Sequence, residues 1–169
     1  GTFSPIRGAA DVNVCQACAR GRYGSEPGAV VPGSCALCPA GRAGTDLGMA
    51  TAMCSVECGP GNFSKAGASE CRVCGISEFS RGGADACINC GIGETTVIKG
   101  ASTCVCQIGF FAKTSKEGTC TQKLPSGEIE NVRSTLYPTC CTKCPAGFVC
   151  DHAGVTLASA NLKPGFWRS

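Results

Sequence analysis

The chain has little of what usually builds a globular core or an active site. Of its 169 residues one is His, one is Trp, and only 6% are aromatic. Val, Ile, Leu and Phe together supply under a fifth of the chain. A sequence so poor in large apolar side chains cannot bury enough surface to offset the cost of ordering its backbone. No apolar run approaches the roughly 18 residues that a membrane span needs, so no span is expected. Runs of like charge are missing too. The 15 basic and 12 acidic residues are scattered singly, for a net charge of +3. That excludes a nucleic-acid partner and gives no basic patch for an anionic membrane. It also leaves too little self-repulsion to keep the chain open. Helical apolar periodicity is absent from the first hundred or so residues, and almost no helix is expected there.

What is present is cysteine and glycine, 17 and 24 residues respectively. Cysteine at about a tenth of a chain marks a disulfide scaffold. Each bridge contributes about 2–4 kcal/mol and persists in oxidising compartments. The expected location is therefore secreted, lumenal or cell-surface.

Six close pairs organise the chain: Cys15/Cys18, Cys35/Cys38, Cys54/Cys58, Cys71/Cys74, Cys87/Cys90 and Cys104/Cys106. Their first members lie 20, 19, 17, 16 and 17 residues apart. After each pair come a Gly, an aromatic or small residue, a Ser or Gly, and a Gly-Ala step, clearest in Cys58-Gly-Pro-Gly61-Asn-Phe63-Ser64-Lys-Ala-Gly67-Ala68. Self-similarity at this interval predicts an array of small units, each leaning on its neighbours. Gly1-Thr-Phe3-Ser4 followed by Gly8-Ala9 is the same unit already under way, so residues 1–14 read as the end of a repeat and the chain as a piece of something longer. Residues 15–73 read as tandem repeats. Gly21, Gly41, Gly61, Gly93 and Gly109, three residues past a pair, predict tight turns opening short strands, with Ser77 the exception. Tyr23, Phe63, Phe79 and Phe111 follow two residues later, each a lid for a neighbouring disulfide. Ala43 and Thr95 interrupt that series.

Repeated Cys-x-x-Cys is also the grammar of zinc ribbons. The uneven spacings of Cys54/Cys58 and Cys104/Cys106, the adjacent Cys140-Cys141 and the lone His152 argue for disulfides instead. No cofactor or metal is expected. Catalysis finds no constellation: His152 has only Asp151 beside it, and Glu57, Glu70, Glu78 and Asp85 fall singly in loops. A redox Cys-x-x-Cys would need a βαβ context that the sequence lacks. Asn62-Phe63-Ser64 is a sequon, which makes Asn62 a candidate for an N-glycan in a secreted protein.

From Cys74 the spacing changes. The gaps through Cys87, Cys90, Cys104, Cys106 and Cys120 are 12, 2, 13, 1 and 13 residues, near those of an EGF-like module over 74–120. A polar, cysteine-free stretch, 121–138, follows as a linker or long hairpin loop. Cys140, Cys141, Cys144 and Cys150 then form a last cluster in 139–169, where Pro145-Ala-Gly147 repeats the Pro39-Ala-Gly41 of the array.

Cys-x-x-Cys, then Gly-x-Phe-Ser, then Gly-Ala-x-x-Cys, ending in Gly100-Ala-Ser-Thr-Cys104-Val-Cys106-Gln-Ile-Gly-Phe-Phe111, resembles the ephrin-receptor-like cysteine-rich repeat. More loosely it is similar to the cysteine-rich domains of tumour-necrosis-factor receptors. The resemblance covers about residues 1–120. It implies an elongated array of short β-hairpin repeats, of the kind found in receptor ectodomains and in large surface proteins of protists and algae. The tail around Pro164-Gly-Phe-Trp-Arg168 looks like a segment that follows such repeats in the latter group. An EGF-like order would join Cys74–Cys90, Cys87–Cys104 and Cys106–Cys120. Extended backwards, it gives Cys54–Cys71, Cys38–Cys58 and Cys15–Cys35, with Cys140–Cys144 and Cys141–Cys150 at the end. Cys18 is then left unpaired, its partner expected upstream. A second ladder, Cys18–Cys35, Cys38–Cys54, Cys58–Cys71, Cys74–Cys87 and Cys90–Cys104, keeps Cys106–Cys120 and leaves Cys15 over. The functional expectation is a non-enzymatic structural or adhesive module of a larger cell-surface or flagellar-surface glycoprotein. Its expected partners are further repeats of the same parent or other protein chains. The alternative is a ligand-binding receptor ectodomain.

Overall fold

The computed structural model describes residues 1–8, 11–114, 120–123, 129–132, 139–156 and 158–165. Nearly all of its regular structure is antiparallel two-strand hairpins. Two 3₁₀ turns, Val12–Val14 and Pro32–Ser34, are the helical elements among the described residues. None is long and apolar enough to cross a membrane. The chain divides into two compact units, Gly1–Cys74 with Ser80–Cys87, and Gly75–Phe79 with Ile88–Ser169.

In the first unit β1 (Thr2–Phe3) pairs with β2 (Gln16–Ala17), β3 (Arg22–Tyr23) with β4 (Ala36–Leu37), β5 (Arg42–Ala43) with β6 (Val56–Glu57), and β7 (Asn62–Phe63) with β8 (Arg72–Val73). Strands of two residues cannot hold themselves together. Main-chain hydrogen bonds between successive repeats do the work, and the same three recur. The turn glycine of one repeat donates to the next: Gly21 N–H to Gly44 O at 2.9 Å, Gly41 to Ser64 at 2.9 Å, Gly61 to Ser80 at 2.8 Å. Three residues on, Gly24 donates to Met49 O, Gly44 to Ala68 O and Ser64 to Ala84 O. In return, Gly48, Gly67 and Gly83 donate to the carbonyls of Cys18, Cys38 and Cys58.

This stacking explains the turn glycines. Gly21 and Gly41 have φ of 76° and 79°, and a Cβ on either would stand 2.1 Å from a carbonyl oxygen two repeats on, that of Gly67 or Gly83. Both the dihedral and the close approach demand glycine. Ser77, in the same place, adopts the same left-handed conformation, with φ 62°. Its N–H is held by Thr96 Oγ1 at 2.9 Å.

The second unit contains β9 (Glu78–Phe79) with β10 (Ile88–Asn89), β11 (Glu94–Thr95) with β12 (Val105–Cys106), β13 (Phe110–Thr114) with β16 (Thr139–Lys143), β14 (Cys120–Lys123) with β15 (Ile129–Val132), and β17 (Phe148–Val149) with β18 (Asn161–Leu162). Five-residue strands at β13 and β16 tie 110–114 to 139–143, across the linker expected at 121–138. The three stacking bonds reappear here: Gly109 N–H to Cys150 O, Ala112 to Val155 O, and Gly154 to Cys106 O. So the repeat that opens at Cys106 is an enlarged copy of the others, and Cys144 opens one more.

Apolar burial is small and local. Phe3 packs on Cys18, Cys35 and Ala29, while Phe111, Cys150, Val155 and Ala160 gather with Cys144 and Phe148. Phe79 is buried, Ala43 fills its place without exposure, and Tyr23 and Phe63 are half-buried. The aromatic lids are thus uneven.

Candidate functional site

The sulfur ladder is the chemical spine of the chain. Seven bridges join described residues: Cys18–Cys35, Cys38–Cys54, Cys58–Cys71, Cys74–Cys87, Cys90–Cys104, Cys106–Cys141 and Cys144–Cys150. Cys140 is also disulfide-bonded, and the Cys120 side chain lies outside the described residues. Cys15 is free and exposed.

These bridges overturn the EGF-like order at every rung it proposed among these residues. Cys74 joins Cys87 rather than Cys90, Cys87 does not reach Cys104, and Cys106 takes Cys141 rather than Cys120. Cys54–Cys71, Cys38–Cys58 and Cys15–Cys35 do not form, nor do Cys140–Cys144 and Cys141–Cys150. Cys18, expected to be unpaired, is bridged and wholly buried. The cause is strand register. Tyr23 pairs with Ala36 and Phe63 with Arg72, so one step further Gly24 faces Cys35 and Ser64 faces Cys71. In the enlarged repeat Ala112 pairs with Cys141 directly. A residue six past the second cysteine therefore stands opposite the first cysteine of the next pair, except after Cys38, where Ala43 pairs with Val56 and Gly44 falls opposite Ser55. It also lies under the second cysteine's sulfur: a Cβ on Gly24 would be 3.0 Å from Cys18 Sγ, and one on Gly44 2.8 Å from Cys38 Sγ. Each rung closes within its own hairpin over that small residue. Cys54/Cys58 carries one extra residue, and Cys54 has a φ of 48°. Cys150 is itself six past Cys144, and there the small residue under the sulfur has become the bridge partner.

That six-residue offset holds Gly24, Gly44, Ser64, Ser80, Thr96, Ala112 and Cys150, and its role was missed in the sequence. Ser64 and Ser80 are buried, and their hydroxyls donate to the repeat before: Ser64 Oγ to Arg42 O at 2.9 Å, Ser80 Oγ to Asn62 O at 2.7 Å. A fixed interval occupied by Gly, Ser, Thr or Ala was the available clue.

Asn62 opens β7 with its side chain half-buried, and its Nδ2 donates to Pro60 O at 3.2 Å. The carboxylates serve local structure. Glu57 faces Arg42 across the hairpin at 3.0 Å, a surface pair of small value. Glu78 accepts from Gly75 N–H at 3.1 Å, and Glu94 from Gly91 N–H at 2.9 Å. Glu70 and Asp85 are exposed. Hydrogen bonds from Ser55 and then Thr45 hold the Asp46 carboxyl below its ordinary range. The Asp151 carboxyl is lowered by its hydrogen bond with His152, and both side chains stand well out in solvent. Among the described residues no three His, Cys, Asp or Glu side chains gather where they could hold a metal, and bridged sulfurs have no thiolate to offer one. Comparison with known proteins finds no matching family model and no matching curated protein.

Proposed function

We propose that the chain is a structural or adhesive module of a larger extracellular or cell-surface protein. The supporting observation is the recurrence of one bonding scheme: the same three main-chain bonds between successive repeats and one disulfide within each. The bridged cysteines, the turn glycines and the small residue under each sulfur are all committed to stacking. What remains on the outside differs from repeat to repeat, as in a spacer whose length matters more than any one face. Disulfides at this density persist in oxidising compartments, which agrees with a secreted or surface-displayed protein. Its partners are further repeats or other protein chains.

Antibodies raised against the folded, oxidised chain test this on cells of the source. Labelling of intact, unpermeabilised cells and recovery of the antigen in large non-reduced assemblies is the expected result. Labelling only after permeabilisation overturns the reading. Saturable capture of one soluble ligand would make the chain a receptor ectodomain instead.

A further inference from the structure

We propose that Asn62 carries an N-linked glycan and that closure of the flanking repeats ends the time in which it can be added. The inference rests on the reading above only in needing passage through the secretory lumen. The sequon Asn62-Phe63-Ser64 is held from both sides. Ser64 is 1% exposed, and its hydroxyl donates to Arg42 O of the preceding repeat at 2.9 Å. Its N–H donates to Ala84 O of the following repeat at 3.1 Å, and its own carbonyl accepts from Gly41 N–H. Asn62 O accepts from Ser80 Oγ at 2.7 Å, and Phe63 forms a parallel bridge with Ala84. The Cys58–Cys71 bridge brackets all three residues.

A sequon is defined by a hydroxyl two residues past the asparagine, so the transferring enzyme must read that hydroxyl. In the folded chain it is buried and already donating. Before residues 80–84 are in place, the bonds to Ala84 O and from Ser80 Oγ do not exist and only the preceding repeat holds the segment. Transfer belongs to that interval. In the step, Asn62 Nδ2 attacks the anomeric carbon of an oligosaccharide carried on a polyisoprenyl diphosphate. The carbon–nitrogen bond forms, the carbon–oxygen bond to diphosphate breaks, the diphosphate leaves with the electron pair, and the amide gives up one proton to base. No group is oxidised or reduced. Nδ2 keeps its second hydrogen, which leaves one donor for the bond to Pro60 O. Val73, paired across the hairpin with Asn62 and 59% exposed, shares its face and lies under the first sugars.

The test incubates the native oxidised chain, and the same chain reduced and held unfolded, with membranes bearing an oligosaccharyltransferase and its lipid-linked oligosaccharide. A short acceptor peptide serves as control. The reduced chain is expected to gain a glycosidase-sensitive mass shift mapping to Asn62, lost in Ser64→Ala, while the native chain gains none. In secreting cells, Cys58→Ser with Cys71→Ser should raise Asn62 occupancy. Equal modification of native and reduced chains overturns the proposal, as does failure of the reduced chain while the control peptide is modified. Because the assay needs no cell surface, its failure is separable from failure of the proposed structural role.

Discussion

At the scale of single residues, two glycines with the same dihedral separate backbone strain from crowding. Gly28 has a φ of 73° with nothing within 4 Å of where a Cβ would stand, whereas Gly21, at 76°, would press one to 2.1 Å from Gly67 O. Gly28→Ala should cost about 1–2 kcal/mol, the ordinary penalty of a left-handed L-residue. Gly21→Ala should cost clearly more, because a backbone carbonyl two repeats away must move. Denaturant midpoints of the two variants check this, and equal losses would remove the close approach from the account. Asp46 gives a second prediction. Its carboxyl is lowered by hydrogen bonds from Ser55 and Thr45, so whatever it adds to stability is present above its ordinary unfolded value and lost as pH falls through the lowered folded one. A carboxyl titration followed by NMR should place Asp46 below the ordinary aspartate range, and Ser55→Ala should raise it.

At the scale of the hairpin, the disulfide in each repeat closes a loop that the stacking bonds then fix. Proteolysis of the unreduced protein should recover Cys74 linked to Cys87, and Cys106 linked to Cys141. Replacing Cys58 and Cys71 together by Ser should cost about 3 kcal/mol, as a bridge over a loop of this length contributes, read from chemical denaturation. The hairpins, their interval and the left-handed turns were legible in the sequence because spacing and glycine carry them directly. The pairing was not, because closely spaced pairs admit two ladders and the choice is made by strand register. That register shows in the sequence only as a small residue six past each second cysteine. The enlarged repeat was hidden for a different reason. Cys120 lies at a distance that imitates an EGF-like ending, while Cys140 beside Cys141 disguises the Cys141/Cys144 pair that continues the array.

For the molecule as a whole, covalent and main-chain bonds replace a hydrophobic interior. Thiol reductant should abolish the native dichroism in both units, while EDTA should leave it unchanged. Loss of structure on chelation would restore the zinc-ribbon alternative. Maleimide applied to the native protein should label Cys15, and tandem mass spectrometry of the labelled peptide should distinguish it from Cys18.

The enlarged repeat also bears on how such an array can be edited. Its rung, Cys106–Cys141, spans 35 residues where Cys58–Cys71 spans 13, yet the stacking bonds at its base are the same. The bonds that join the enlarged repeat to the next come from Cys106, Gly109 and Ala112, all near its first cysteine, so the interval beyond them is a port that accepts foreign sequence. By loop-closure entropy the longer span costs only about 0.9 kcal/mol more than the shorter. Replacing 124–128, between β14 and β15, by an unrelated polar loop of similar length should therefore be nearly neutral, read as an unchanged denaturation midpoint, whereas cutting out all of 115–138 should not be, because it also removes Cys120.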